Sequence, residues 1–334
     1  MSLIVAASGQ PVHAAQRHLA VDSPDVTSVP RQIVHRADDA DVLLTHFRQV
    51  DTDSYHFAVR WPQTHALFRP VRGRQNPMLI AETIRQAGTA LAHAAYHAPL
   101  DNQFLLWDLH YEVPDHPVVA ALGAPATAAV HAREIKMRGK RLAVIRVEVE
   151  LYCEGILVGR GGAAANCVSP AAYRRLRPGR ADSVQIEVPS PVPHGLTGAE
   201  PGDVMLAASG RPGTLLLRAD PAHPVIFDSQ SDHVPGRGIL EAMRQAAQLA
   251  TGFEHALAPY VSAEFSKYVE LDRPCYLTAR QLGPQDAEST GPVPHGQIPV
   301  AVTLTQDEET VARGLLRIQD AEPAFPHQHP APPR

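Results

Sequence analysis

Cysteine is scarce in this chain of 334 residues, which contains only Cys153, Cys167 and Cys275. Three is an odd number, and the absence of a Cys-x-x-Cys spacing argues against a disulfide framework and against a thiolate metal site. This composition is typical of a protein kept in a reducing compartment, so we expect a cytoplasmic location. The sequence indicates no metal ion and no organic cofactor.

The chain also lacks an excess of positive charge and a long apolar run. Its 30 Lys and Arg are outnumbered by 35 Asp and Glu, which gives a formal net charge of −5, so we expect no nucleic-acid partner. No stretch approaches the ~18 apolar residues of a membrane-spanning helix, and the first residues lack the basic start of a signal peptide. With 44% apolar residues, the chain can instead bury the cores of about two ordinary domains.

One short motif occurs twice in the chain. The segments "IAETIRQAG" (80–88) and "ILEAMRQAA" (239–247) align without gaps at an offset of 241 − 82 = 159 residues. The offset pairs identical polar residues, which are Glu82 with Glu241, Arg85 with Arg244, and Gln86 with Gln245. It also pairs identical residues outside the motif, Pro62 with Pro221 and Phe68 with Phe227. An internal duplication explains these matches better than chance does.

Each copy of the motif is predicted to lie on a helix that precedes antiparallel strands. Apolar residues recur at helical spacing in both copies, at Ile80, Ile84, Ala87 and Leu91 and at Ile239, Met243, Ala246 and Ala250. The alternating segments 141–164 and 298–305 indicate strands. We therefore predict an α+β chain of two repeats, each an antiparallel sheet wrapped around one central helix. The predicted segments are an N-terminal arm (1–30), the first repeat (31–175), a Pro- and Gly-rich linker (176–203), the second repeat (204–320) and a disordered tail (321–334).

Longer segments of the chain resemble a known family. In order, "QIVHRADDADVLLT", "WPQTHALFRP", "PMLIAETIRQAGTALAH", "QFLLWDLHY" and "DHVPGRGILEAMRQAA" resemble the A-factor biosynthesis family of double-hotdog proteins, the γ-butyrolactone synthases of actinomycetes. The resemblance implies the hotdog fold in each repeat. It also implies transfer of a β-ketoacyl group from the thioester of an acyl carrier protein or of coenzyme A to a hydroxyl of dihydroxyacetone phosphate. Intramolecular condensation would then give a butenolide phosphate, a precursor of signalling lactones or furans.

The second copy of the motif also resembles the central helix of hotdog acyl-carrier-protein dehydratases. In those enzymes Pro-Gly precedes the helix and a catalytic carboxylate stands just before an Ala, as Pro235-Gly236 and Glu241 do here. The position of their catalytic His holds Phe227 in this chain. Simple dehydration is therefore not expected.

The repeat and the resemblance together point to four catalytic candidates: Glu241, Arg244, Glu82 and Arg85. A Glu at the start of an apolar helix could act as a general base, because desolvation raises the pKa of a carboxyl. An Arg one turn later could bind a phosphate or hold the carboxylate. We expect Glu241 and Arg244 to be the more important pair, because the Pro-Gly pattern precedes them. A Glu–Arg pair at this spacing is also common as a solvated ion pair on a helix surface.

Further residues are candidates for substrate binding. Gln86 and Gln245 could orient the substrate. The loop "FRPVRGRQNP" places Arg69, Arg72 and Arg74 just before the first helix, where they could receive a phosphate or a phosphopantetheine arm, or form only a solvated basic turn. Asp232 and His233 precede the second helix and could assist proton transfer or merely cap the loop.

Two other functions remain open at this point. The chain could be a hotdog thioesterase or hydratase that acts on acyl thioesters, or a lactone-binding regulator without catalytic activity. The sequence fits either a monomeric double hotdog or a homodimer, and we expect neither a nucleic acid nor a membrane among its partners.

Overall fold

The computed structural model describes residues 26–114, 124–180, 186–229 and 231–321. The expected N-terminal arm and the expected tail lie almost entirely outside these ranges. The two halves of the chain share one succession of elements, two strands, a long helix and four strands. The first half contains β1 (Thr27–Ser28), β2 (Leu44–Asp51), β3 (Ser54–Arg60), α1 (Met78–Ala94), β4 (Gln103–Glu112), β5 (Pro125–Arg138), β6 (Arg141–Cys153) and β7 (Ile156–Val168).

The second half begins with a short helix that follows β7. Its elements are α2 (Pro170–Leu176), β8 (Leu206–Ala208), β9 (Leu215–Leu217), α3 (Gly236–Thr251), β10 (Ala256–Phe265), β11 (Tyr276–Gln281), α4 (Ala287–Thr290), β12 (Gln297–Gln306) and β13 (Glu309–Asp320). The two long helices, α1 and α3, therefore carry the two copies of the repeated motif, as the sequence predicts.

The described strands form one antiparallel sheet in the order β1-β2-β3-β5-β6-β7-β4-β10-β13-β12-β11-β9-β8. Strands β4 and β10 join the halves, with Glu112 opposite Tyr260 and Asp108 opposite Glu264. Outward from this seam, the first half runs β4-β7-β6-β5-β3-β2 and the second runs β10-β13-β12-β11-β9-β8. The duplication predicted from the motif is thus visible as two sheets of the same topology, and the predicted double-hotdog architecture is confirmed.

Each long helix packs on the sheet of its own half. Helix α1 contacts β4, β6 and β7, and helix α3 contacts β10, β11, β12 and β13. The predicted stripe of α1 is fully enclosed, since Ile84, Ala87 and Leu91 are 0% exposed. Close packing requires Gly161 in β7, because a Cβ there would lie 2.9 Å from Ile84 Cδ1 and 2.1 Å from the His110 carbonyl oxygen. Burial of these apolar stripes is the main force that holds each helix in its sheet.

Candidate functional site

A cavity of about 240 Å³ lies between the first turns of α1 and the start of α3. Both repeats contribute to its wall. The apolar part of the lining comes from both helices and from β4, β6 and β7, and includes Met78, Ile84, Leu109, Ile145, Val147, Ala163 and Leu240. The charged part consists of Arg36, Glu82, Arg85, Asp228 and Arg237. Since one cavity offers apolar and charged surfaces together, it suits an amphiphilic ligand.

Glu82 is the centre of the charged part. Its carboxylate, 5% exposed as a residue, accepts hydrogen bonds from Arg36 Nε at 2.9 Å, from Arg85 Nη2 at 2.9 Å and from Gln86 Nε2 at 2.7 Å. Arg85 also donates through Nε to the other carboxylate oxygen, at 3.1 Å. Charge-assisted bonds of this kind fix both partners in one geometry.

Asp228, from the second repeat, extends this cluster across the repeat boundary. It accepts from Arg36 Nη1 at 3.2 Å and from Arg237 Nη2. Arg237 is held in addition by the Ile226 carbonyl oxygen, 3.2 Å from its Nε. Sequence reasoning did not identify Arg36, Asp228 and Arg237 as site residues. Arg36 and Asp228 are 192 positions apart, so no local spacing could have paired them.

The pKa of Glu82 shifts in the direction opposite to the one that the sequence suggests. Burial alone would raise it, but the guanidinium groups of Arg36 and Arg85 overcome burial and hold the pKa of Glu82 well below its ordinary value of 4.5. The expectation that desolvation tunes Glu82 into a general base is therefore wrong. A carboxylate that already accepts from two guanidiniums is a poor proton acceptor, and its hydrogen bonds hold Arg36 and Arg85 in one geometry.

The corresponding pair in the second repeat is buried without reaching the cavity. Glu241 is 2% exposed and Arg244 is 7% exposed. Arg244 donates to Glu241 through Nη2 at 2.7 Å and Nε at 3.0 Å, to Gln248 Oε1 at 2.7 Å and to the Thr197 carbonyl at 3.1 Å. The structure thus brings Glu82 and Arg85 to the cavity, whereas Glu241 and Arg244 are absent from its lining.

The two copies of the motif differ in what surrounds them. Tyr111, fully buried, acts electrostatically on Glu241 and Arg244, and its Oη lies 3.5 Å from Met78 Sδ. Met78 is the duplicate of Arg237, since 78 + 159 = 237. The position of the cavity-lining guanidinium Arg237 is therefore held, in the other repeat, by an apolar side chain that contacts a buried tyrosine.

The two glutamines have the same structural role in both repeats. Gln86 accepts from the Leu43 backbone N–H at 2.9 Å and donates to the Asp41 carbonyl at 2.7 Å. Gln245 does the same with Met205 N, at 2.8 Å, and the Asp203 carbonyl, at 2.8 Å. Neither lines the cavity. Both fasten the preceding loop to the helix, and their expected role in orienting the substrate stays a prediction.

The arginines of the loop before α1 lie away from the cavity. Arg69 is half exposed, at 51% of its side chain, and forms ion pairs with Glu200 and Asp203. Arg72 Nη1 lies 3.4 Å from the Ala321 carbonyl. None of Arg69, Arg72 and Arg74 belongs to the cavity lining. The cations that face the cavity are Arg36, Arg85 and Arg237 instead.

Asp232 and His233, in contrast, are brought to the site. His233 lines the cavity, and its Nδ1 lies 2.7 Å from Asp232 Oδ1. Asp232 also accepts from the Tyr173 hydroxyl at 2.6 Å and from Arg177 Nε at 3.0 Å. Burial would raise the pKa of Asp232, but the bonds from His233, Tyr173 and Arg177 lower it well below its ordinary value.

Two kinds of site are not found in the described parts of the chain. Within them, no cluster of three or more His, Cys, Asp and Glu is arranged to hold a metal ion. None of the helices of residues 26–114, 124–180, 186–229 and 231–321 is long and apolar enough to cross a membrane.

Comparison with known proteins gives one family and several named relatives. The family described as "AfsA: A-factor biosynthesis hotdog domain" matches residues 18–169 and 199–319. The chain is 41% identical, over 88% of its length and 99% of the relative's, to the 2-oxo-3-(phosphooxy)propyl 3-oxoalkanoate synthase of Streptomyces virginiae. It is 36% identical to the synthase of the same name from Streptomyces coelicolor, over 75% of this chain and 81% of that one.

Solved structures of other proteins are more distant. An acyl-ACP thioesterase from Bacteroides thetaiotaomicron is 10% identical with a TM-score of 0.46, covering 80% of this chain and 98% of that one. A 12:0-ACP thioesterase from Umbellularia californica is 11% identical with a TM-score of 0.45, covering 79% and 94%.

Proposed function

Because the chain belongs to the A-factor biosynthesis hotdog family, we propose that it catalyses the reaction for which its relatives are named, formation of a 2-oxo-3-(phosphooxy)propyl 3-oxoalkanoate. This product is the ester of a 3-oxo acid with a hydroxyl of dihydroxyacetone phosphate. The acyl donor is a thioester of an acyl carrier protein or of coenzyme A, and the second product is the free thiol. Intramolecular condensation of the ester then gives a butenolide phosphate.

The observation that carries this proposal is the uneven charge of the cavity. Among the groups that line the cavity, three guanidiniums, of Arg36, Arg85 and Arg237, face two carboxylates, of Glu82 and Asp228. The buried carboxylate of Asp41 also acts on Arg36 and Arg237, but it lies outside the lining. His35 adds no positive charge to this balance at neutral pH. Burial first, and then the neighbouring His93 and arginines, lower the pKa of His35 to about 4. A buried excess of positive charge is costly unless an anion compensates it. A phosphate group supplies that charge and can accept bidentate bonds from arginine.

The pKa of Arg237 supports the same assignment. Burial, and then the charge of Arg36, lowers the pKa of Arg237 to about 10, despite the opposing effect of Glu82 and Asp228. The guanidinium stays charged at neutral pH, but its environment disfavours that charge. A bound phosphate would stabilise the charged form of Arg237, and this stabilisation would contribute to the free energy of binding.

The rest of the cavity suits an acyl chain. Side chains of Ile84, Ile145 and Val147 lie along its wall beside the small residues Gly88 and Ala163. Gly236, at the start of α3, also lines it. The first N–H groups of a helix have no partner within that helix, so they suit the oxyanion that forms when an alcohol attacks a thioester.

The test is a reaction of the purified protein with a 3-oxoacyl thioester and dihydroxyacetone phosphate, followed by mass spectrometry. We expect the phosphorylated ester and one equivalent of thiol. Arg36→Gln should raise KM for dihydroxyacetone phosphate, whereas Arg69→Gln, in the half-exposed loop before α1, should leave it within about twofold of the parent value.

Two rival functions give different results in the same experiment. A thioesterase would release the free 3-oxo acid at the same rate with or without the phosphorylated acceptor, and a hydratase would leave the 3-oxoacyl thioester unchanged. A lactone-binding regulator would bind a lactone without turnover. Either outcome would overturn the proposal.

We also propose that one protomer forms the complete site and that the protein is cytoplasmic. Both repeats of one chain line the cavity, so a single protomer can form the site. All three cysteines are free and buried, which fits a cytoplasmic location.

A further inference from the structure

His233 occupies a special place between two cavities. Beside the first cavity lies a second one of about 280 Å³, lined among others by Trp107, Phe265 and Tyr268. The two linings share four residues, Phe104, Leu106, His233 and Gly236. Of these only His233 can take up a proton near neutral pH. Groups that enter from either cavity can therefore meet at its ring.

The hydrogen bonds of His233 leave one nitrogen ready to accept a proton. Asp232 stays ionised because its pKa is held low, and an ionised carboxylate can only accept. The 2.7 Å contact with Asp232 Oδ1 therefore assigns the ring proton to Nδ1. Nε2 of the neutral ring then carries a lone pair, as a general base requires.

Neighbouring side chains fix the orientation of this ring. The Tyr173 hydroxyl lies 2.6 Å from Asp232 Oδ1 and 3.2 Å from His233 Nδ1. The Tyr268 ring meets the imidazole of His233 edge to face, with centroids 4.8 Å apart. The guanidinium of Arg177 stacks on the Tyr268 ring, 4.0 Å from its centroid. Arg177 is itself bonded to Asp232 and Glu270. This is the arrangement of a positioned base, with a carboxylate behind the imidazole.

The other titratable groups of the first cavity are less suited to the task. Glu82 and Asp228 each accept from two guanidiniums. His35 Nε2 is engaged with His93 Nε2 at 2.9 Å. Among the described residues that line the cavity, this leaves His233 as the group whose Nε2 can carry a lone pair while a carboxylate accepts from Nδ1.

We propose that His233 is the general base and acid of the acyl transfer, and that Asp232 is its positioning residue. This inference rests on the proposed function. His233 Nε2 takes the proton from the hydroxyl of dihydroxyacetone phosphate while the hydroxyl oxygen attacks the thioester carbonyl carbon. The C–O bond forms, the C–S bond breaks, and Nε2–H returns the proton to the departing thiolate. The products are the ester and the thiol, and His233 is neutral again.

The experiment compares His233→Gln with the parent protein at saturating dihydroxyacetone phosphate. General-base catalysis contributes roughly 10²–10⁴-fold, so we expect kcat to fall by about that factor while calorimetry finds unchanged binding of dihydroxyacetone phosphate. The pH–rate profile of the parent should have a limb in which kcat rises with pH, and the variant should lack it. His255→Gln, at a half-exposed histidine before β10, is the matched control and should keep both kcat and the limb.

A second variant guards against a merely structural effect. Asp232→Asn should fold, since Asn keeps the shape of the side chain, and should move the limb to lower pH because the imidazolium loses its carboxylate. The charged and titratable groups around His233 are Asp232, Tyr173 and Arg177 on one side, Tyr268, Glu270 and Lys267 on a second, and Arg237 and Asp228 across the cavity.

The possible failures are distinguishable. If the parent forms no ester, the proposed function fails. If the parent forms it and His233→Gln retains the parent kcat and limb, the proposed function stands and the assignment of His233 is overturned. An unmoved limb in Asp232→Asn would overturn the positioning role of Asp232.

Discussion

Arg85→Gln and Arg244→Gln remove the corresponding arginine from the two copies of one motif. From the structure we expect Arg244→Gln to lose more stability and Arg85→Gln to lose more activity. Glu241 is 2% exposed and accepts only from Arg244 and Gln245 among its described contacts. Without Arg244 its charge is buried with one neutral donor. Breaking a buried pair in this way costs about 3–5 kcal/mol of the free energy of unfolding.

Loss of Arg85 should cost less stability and more activity. Glu82 keeps Arg36, which donates through both Nε and Nη2, so the expected loss of stability is about 1–3 kcal/mol, that of a hydrogen bond to a charged group. The Arg85 side chain is 23% exposed and lines the cavity. Loss of one charged contact to the phosphate costs about 1.5–3 kcal/mol, or roughly 10–150-fold in kcat/KM for dihydroxyacetone phosphate.

The assays are urea unfolding for stability and initial rates per folded molecule for activity, at a temperature where both variants are folded. Arg244→Gln should be the less stable variant with near-parental kcat/KM, and Arg85→Gln the more stable variant with reduced kcat/KM. Equal loss of activity in both variants would show that both copies of the motif serve catalysis and would refute the reasoning.

Three further predictions concern pH, anions and acyl length. The pKa of Glu82 lies below its ordinary value of 4.5, so its contribution to stability is present above pH 4.5 and is lost as the pH falls toward the lowered pKa. In urea unfolding, the free energy of unfolding should therefore fall less between pH 6 and pH 3 for Glu82→Gln than for the parent. Inorganic phosphate should inhibit in competition with dihydroxyacetone phosphate and raise the Tm of the parent, but not of Arg36→Gln. Gly88→Val should shift the preference toward shorter acyl thioesters in competition assays, because a Cβ at this position already meets Val147 at 3.4 Å.

Much of the fold follows from local patterns in the sequence. The helical spacing of the apolar residues of α1 matches its buried side, with Ile80 at 2% and Ile84 at 0% exposure. The alternation in 141–164 corresponds to the hairpin of β6 and β7. These elements are predictable because each buries one side against one neighbour. The spacing of the apolar residues along the sequence therefore shows which side is buried.

The charge state of the site is not predictable in the same way. Whether a buried carboxyl has a raised or a lowered pKa depends on the charges that reach it from elsewhere. Arg36 comes from a turn 46 positions before Glu82, and Asp228 comes from the other repeat. A helix considered alone shows only Glu82 and Arg85, and from that pair desolvation is the obvious inference. The segment that contains Arg36 resembles the corresponding segment of the family, but this resemblance does not show which residue Arg36 contacts.

The contrast between the two repeats explains how one motif can have two outcomes. In both copies the Glu accepts from an Arg and a Gln, and the Gln binds a loop through the carbonyl of one residue and the N–H of the residue two positions later. This shared part is structural, since it fastens a loop to a helix. What differs is the surroundings of the Glu. Arg36, Arg237 and Asp228 line the same cavity as Glu82, whereas Glu241 accepts from Arg244 and Gln245 and lies outside that lining. A duplicated chain, unlike a symmetric dimer, can change one side of its pseudo-symmetric interface without changing the other. Under the proposed function, ligand binding can therefore be concentrated at Glu82, while the buried pair of Glu241 and Arg244 contributes stability.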